Sequence, residues 1–459
     1  MIYRTKPRDS HRTTTSNVLD LLDQAMFDLG QATGSNTVLQ CVWVCDRPID
    51  VDGLQEFHQN LQRGRLSRCI AQSPLPFGRS RWVAPEHFSD LEVDAAAQPR
   101  EAFGDWLDEQ AHRPLDCEQG PVWRLAALPF TDGGTGLSLA ISHCITDGVG
   151  LWEAVADASL GRVDPICWPP AASRTWWQAV RQDARQTMRD IPDIGRAIAA
   201  SITLARGGRD TAEPAAPPPS KSPAPASPGN ESDILPTATV FVDAAAWEAR
   251  AQSLGGTSNT LLVGLAARLA QRAGRVATDG SVVVTLPVNE RTEGDTRANA
   301  ISGVRATVDP APAATDLREI RAAVKQALIR HQEVPDPQDF LNALVPLLPR
   351  RFLSAARGAT RGNPFNLVGA SNVGVIAAAA ARPDGADTDR FALRLHHLGV
   401  APATMQRYGG VQTLLAGTVQ GRIFISLISC LPGRSNSKDD LHQDLSSALS
   451  EYSLTGTYL

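Results

Sequence analysis

The sequence predicts an α/β protein built from two similar mixed lobes, and three observations carry that expectation. At 459 residues the chain exceeds one ordinary core, which favours two domains of roughly 200 residues each. Residues 206–236 are dominated by proline, alanine and serine and hold almost nothing to bury. On either side of them, short apolar runs alternate with segments of helical period. The expected organisation is an N-terminal lobe over 1–205, an extended linker over 206–236 and a C-terminal lobe over 237–459. The similar content of the halves points to an internal duplication too distant to show as a repeat.

In the first half, residues 37–45 read as a strand and 51–61 as a helix. Residues 79–83 read as another strand and 103–111 as another helix. Residues 121–130 should pair as an antiparallel hairpin with the alternating run 136–142. Residues 151–156 then enter a helix. The stretch 176–206 carries Val180, Met188, Ile191, Ile194, Ile198 and Ile202 at near-helical spacing. Such a stripe is expected to pack on its own protein. Its arginines and the pair Trp176-Trp177 leave a membrane-surface or lipid-entry helix open. In the second half, residues 237–242, 281–287, 365–372 and 421–429 read as strands, the second of them buried. Residues 258–273 and 438–452 read as helices.

Composition excludes several classes of function. Apolar residues make up 42% and charged residues 20%, as in soluble globular proteins. The 44 basic and 49 acidic residues leave a net charge of −5, with no general attraction to nucleic acid. No window approaches the ~18 apolar residues of a membrane span. The first nine residues lack the apolar region of a signal peptide. Seven cysteines are scattered without metal-like clustering, and Cys41 and Cys45 lack nearby His or Cys partners. They read as reduced thiols in a cytoplasmic protein, and no metal site is expected. Phosphate-cradling loops, a dinucleotide fingerprint and a G-x-S-x-G elbow are all missing from the sequence.

The most informative run is Ile141-Ser-His-Cys-Ile-Thr-Asp-Gly-Val-Gly150, an H-x-x-x-D-G pattern at the end of the predicted hairpin. It reads as strand, tight turn, helix, with His143 at the strand end where a base meets a substrate. Histidine suits that task because its pKa lies near neutrality. Asp147 would pair with a cation or cap the following helix, and Gly148 would allow close backbone approach or a positive φ. A satisfied turn histidine beside a helix N-cap fits the same residues. The pair His396-His397 lacks a following Asp-Gly and reads as packing or lining.

Five segments, in order, resemble the wax ester synthase/diacylglycerol acyltransferase branch of the condensation-type acyltransferase superfamily. They are Leu21-Leu-Asp-Gln-Ala-Met-Phe27, then Pro114-Leu-Asp116 with Gly120-Pro-Val-Trp-Arg-Leu125, then His143-x-x-x-Asp147-Gly148. Leu286-Pro-Val-Asn-Glu-Arg291 with Asn299 and Ser302 follows, and Ala370-Ser-Asn-Val373 completes the set. The resemblance spans nearly the whole chain. It implies a chloramphenicol acetyltransferase-like pseudo-dimer of two lobes, with the active-site channel between them.

The roles implied are those of an acyltransferase. His143 would be the general base toward an acceptor hydroxyl or amine, with acyl-CoA or a phosphopantetheine thioester as co-substrate and no bound cofactor. Asp147 would pair with Arg291 and hold the loop. Gly148 would leave room for the thioester arm. Ser371 and Asn372 would bind substrate, Asn372 and the amides near Gly148 polarising the carbonyl. Taken alone, Arg291 reads as a solvated surface arginine and Asn372 as a turn residue. Ser142 stands where the motif usually begins with a first histidine, Ala298 where glycine is usual, and Thr260 where aspartate is usual. Gly374-Val-Ile follows where lipid-making relatives tend to carry Pro-Gly-Pro. These departures point away from neutral-lipid synthesis and toward a specialised acceptor. The alternatives are a stand-alone condensation enzyme of nonribosomal peptide type and a non-catalytic carrier-protein-binding module. The implied partners are an acyl thioester, an alcohol or amine, and an acyl or peptidyl carrier protein, with peripheral membrane contact left open.

Overall fold

Two sheets organise the molecule, seen in a computed structural model that describes residues 16–162, 166–210, 235–292, 294–334, 341–348, 368–399, 409–434 and 436–459. The chain enters through α1 (Leu21–Thr33), whose first turn is capped by the Asp20 carboxylate and whose end is turned by Gly34 at φ 66°. β1 (Asn36–Cys45) follows, then α2 (Val51–Arg63), capped by Asp50. A small ribbon joins β2 (Cys69–Ala71) to β3 (Arg81–Val83). After β4 (Leu91–Val93) and α3 (Phe103–His112), the expected hairpin forms from β5 (Trp123–Pro129) and β6 (Thr135–Ser142). α4 (Gly148–Ser159) and α5 (Trp176–Asp210) complete this half.

The second half opens with β7 (Thr237–Asp243), α6 (Ala244–Ser253) and α7 (Ser258–Arg272). Thr257 and Thr260 form a capping box at the start of α7. β8 (Val282–Asn289) and β9 (Ile301–Val308) form an antiparallel pair, followed by α8 (Arg318–Glu333). Then come β10 (Val368–Val375), β11 (Arg390–Leu398), β12 (Val411–Val419) and β13 (Arg422–Cys430). α9 (Lys438–Glu451) and β14 (Thr457–Tyr458) close the chain.

The five-stranded sheet runs β11-β1-β6-β5-β4, and the seven-stranded sheet runs β14-β7-β13-β12-β10-β8-β9. β11 leaves its own half and pairs antiparallel with β1, from Asn36↔Leu398 to Val44↔Arg390. The second sheet serves two cores at once. Along β13, Ile423, Ile425 and Leu427 pack with α7, while Phe424 joins the core of β1, α2 and α4. Strand alternation makes this sharing automatic, since successive side chains point to opposite faces. The fold is therefore mixed α/β in two lobes whose cores meet at the second sheet.

Several expectations need correction. The run at 281–287 reads as a buried strand, yet β8 buries Val282 and Val284 and leaves Val283 exposed. It lies one strand in from the sheet edge, with helices on one face only. The strand expected from residue 79 begins at Arg81, because Arg79 is turned aside to Asp190 and the Leu19 carbonyl. The helix over 176–206 forms, but of its apolar stripe Met188, Ile191, Ile198 and Ile202 are exposed while Val180 and Ile194 are half-buried. Residues 211–234 of the expected linker and 365–367 of the expected strand lie outside the described residues. α6, α8, β9, β11 and β12 went unforeseen.

Candidate functional site

β6 ends at the fully buried Ser142, and His143 is the first residue beyond the strand. Its backbone N–H donates to the Thr37 carbonyl of β1 at 2.8 Å, which ties the loop to the sheet. Nδ1 is buried without a hydrogen-bond partner, and the residue as a whole is half-buried. Burial lowers the imidazole pKa below its ordinary value. The backbone carbonyl of His143, the Asp147 charge and Asn299 oppose this only in part. The ring is therefore neutral near pH 7, the state a proton acceptor needs.

Asp147 is wholly occupied by architecture. One carboxylate oxygen accepts from Gly150 N at 2.6 Å and so caps α4. The other accepts from Ala300 N at 2.9 Å and Arg291 Nη2 at 2.7 Å. Arg291, just past β8, also donates to the carbonyls of Ala298 at 2.9 Å and Arg297 at 3.0 Å. The Asp147 N–H donates to the Ala298 carbonyl at 3.0 Å, so the two halves exchange bonds across this loop.

A second carboxylate grips the same loop from the other side. Asp23 of α1 is fully buried and accepts from Ala298 N at 3.0 Å and Asn299 N at 2.9 Å. The Asn299 amide donates both to Asp23 at 3.1 Å and to the His143 carbonyl at 3.1 Å. Burial pushes the Asp23 carboxyl up to about 6, against the pull of Arg68 and of these donors. Arg68 itself lies over the Trp82 ring at 4.1 Å and donates to the Ile145 carbonyl at 2.7 Å. The roles of Asp23 and Arg68 escaped sequence reasoning. Asp23 and Asn299 sit in segments that the resemblance singled out, so their place was marked while their partnership was not.

The remaining predicted residues divide between two faces. A Cβ on Gly148 would lie 2.9 Å from Val373 of β10, and Trp152 Nε1 donates to the Val373 carbonyl at 3.3 Å. Gly148 is thus a close-approach position, and it is not among the positive-φ glycines. Ser371 shares the Val373 face by alternation, whereas Asn372 falls on the α7 face with Val368 and Ala370. The Asn372 amide donates to Asn259, and its oxygen accepts from Gly374 N at 2.9 Å. The structure therefore brings together the loop of His143, Asp147 and Gly148 with Arg291, and holds the Asn372 side chain to Asn259 and Gly374. Ser142 donates to Asn36 Oδ1 at 3.2 Å and is buried, which removes it as a nucleophile. His396 is buried against Gln40, with a 3.0 Å bond, and its pKa is lowered mainly by burial.

Among the described residues no cluster of His, Cys, Asp and Glu could hold a metal, and no helix is long and apolar enough to cross a membrane. All seven cysteines are free thiols. A cavity of about 270 Å³ beside α1, lined by Gln24, Ser73, Leu75, Ser80, Val345 and Leu348 among others, shares no lining residue with the His143 loop.

No family model and no curated protein sequence matches the chain. Solved structures do. The first condensation domain of the CDA synthetase superposes with a TM-score of 0.56 at 12% identity, covering 96% of this chain and 97% of that one. Wax ester synthase/diacylglycerol acyltransferase from Marinobacter aquaeolei VT8 gives 0.53 at 14% identity, covering 95% and 100%. Polyketide synthase associated protein 5 from Mycobacterium tuberculosis gives 0.52 at 15% identity, covering 95% and 100%. The chain thus has the fold of the condensation domain and of the wax ester synthase/diacylglycerol acyltransferase, two mixed α/β lobes.

Proposed function

We propose that the protein is an acyltransferase that moves an acyl group from a thioester donor to an acceptor hydroxyl, with His143 as general base. The observation that carries this reading is the division of labour in the loop. His143 stands at the end of β6 with its pKa lowered by burial, while every hydrogen bond of Asp147 serves position. In the reaction, Nε2 takes the hydroxyl proton as the acceptor oxygen attacks the thioester carbonyl. The tetrahedral oxyanion then collapses, the C–S bond breaks, and the thiolate recovers the proton from the imidazolium. General base catalysis of this kind typically contributes ~10²–10⁴-fold. The amides of Gly148 and Val149, ahead of the Gly150 N–H that Asp147 takes, supply donors for the oxyanion.

The donor in this reading is acyl-CoA or a carrier-bound phosphopantetheine thioester, and free thiols accord with a reducing, cytoplasmic setting. In this reading the two lobes, 1–205 together with β11 and the rest of 237–459, admit donor and acceptor. A second reading, a stand-alone condensation enzyme that forms an amide or ester from a carrier-bound substrate, draws on the similarity to condensation domains. Product analysis with acyl-CoA and carrier-bound thioesters against alcohols and amines separates the two. His143→Ala should stop ester formation while the protein stays folded. Full residual turnover in that variant would sink the proposal, and carrier binding without turnover from any thioester would favour a non-catalytic module.

A further inference from the structure

α5 sorts its side chains by chemistry as well as by burial. Its carboxylates Asp183 and Asp190 turn inward, Asp183 to Arg81 and Arg174 and Asp190 to Arg79. Ala179, Ala197 and Ala200 are buried on that same side. At 3.6 residues per turn, Trp176, Trp177, Met188, Ile191, Ile198 and Ile202 fall within about a third of the circumference. All six are exposed, Trp177 to 74%, and the two indoles meet edge to face at 4.4 Å. Arg181, Arg185 and Arg189 stand exposed in the next sector, from about 20° to about 100° beyond the stripe.

An isolated exposed apolar side chain needs no explanation, but six on one stripe do. Arg181, Arg185 and Arg189 follow the apolar stripe around the helix while Asp183 and Asp190 are turned inward, on a chain whose net charge is −5. This is the charge complement of an anionic surface with an apolar interior. Paired indoles suit the boundary between headgroups and acyl chains. We propose that this face of α5 rests on an anionic lipid surface, with the six apolar side chains in the acyl boundary and the arginines on the headgroups.

The test uses the full chain and flotation with vesicles of phosphatidylcholine, alone or mixed with phosphatidylglycerol. Binding should require phosphatidylglycerol and weaken as salt rises. Each of Arg181→Gln, Arg185→Gln and Arg189→Gln should lower the partition coefficient about fivefold. The double variant Trp177→Ser/Ile191→Ser should lower it at least tenfold or so, with its melting curve unchanged because both positions are exposed. Absence of flotation with either vesicle overturns the proposal, as does flotation indifferent to these substitutions. Self-association lost in the same variants, without vesicle binding, would assign the face to a second copy instead. None of these readouts depends on acyl transfer, so the outcome stands apart from the fate of that reading.

Discussion

Asp147 and Arg291 meet across the two halves of the molecule at 2.7 Å, with only 2% and 5% of their side chains exposed. Removing one member of a buried pair strands the other charge without water, which typically costs about 3–5 kcal/mol. Arg291→Ala should therefore lower unfolding stability by about that amount. The double variant Arg291→Ala/Asp147→Ala should lose less than the two singles added together. Urea denaturation of the four proteins measures the coupling, and simple additivity would refute it.

The same carboxylate acts on the imidazole through its charge. Burial holds the His143 pKa below 6.5, so kcat/KM should be flat near neutrality and fall only on the acid side of that value. The Asp147 charge favours the imidazolium, so Asp147→Asn should move the acid limb to still lower pH. A limb that stays in place in this variant, at whatever activity remains, would contradict the electrostatic link.

Asp23 should leave its mark on stability rather than on rate. Unfolded, its carboxyl titrates at 3.8, and folded at about 6. The folded state binds more protons between those values, so this group's contribution is complete below the lower one and declines as pH rises through the upper. The loss is on the order of 3 kcal/mol. Asp23→Asn abolishes the titration, and the wild type should therefore lose stability relative to it from pH 4 to pH 7. Parallel pH profiles for the two proteins would refute the assignment.

Gly150 is held to hydrogen by its neighbours. A Cβ there would lie 2.8 Å from Thr146 Oγ1 and 3.0 Å from Arg291 Nη2. Gly150→Ala should displace the guanidinium and cost about 1–3 kcal/mol, more than the helix-propensity gain of alanine returns. Gly195, with nothing near its Cβ position, is the control, and Gly195→Ala should be neutral or stabilising in the same melt. Equal behaviour of the two variants would dismiss the steric argument.

What the sequence made legible depended on whether a residue's pattern is local. The 136–142 run alternates small or polar residues with large apolar ones, so β6 and its hairpin follow from period, although both faces of the strand are buried. The helical period of α5 was equally plain, but period says which residues share a face and not what that face meets. β11 stayed hidden because Arg394 and His396 interrupt its apolar run. Arg394 is neutralised by Asp108 of α3 at 2.8 Å, and His396 bonds Gln40 of β1, partners 286 and 356 positions away. The pairing of Asn372 with Asn259 of α7 stayed hidden for a related reason. A motif gives order along the chain, and one residue's shift along a strand decides which side of the sheet it serves.

The return of β11 to β1 sets a timetable for the newborn chain. β1 needs a neighbour on both edges, and β6 follows soon after it, but the other partner is not made until residue 390. At roughly 5–20 residues per second, that delay is on the order of 20–70 seconds. For that time the first sheet carries an open row of peptide groups beside Cys41, Val42 and Trp43, a template for strangers. A ribosome-bound chain of this kind should depend on a holding chaperone, and release at residue 205 should yield aggregates instead of a free-standing lobe.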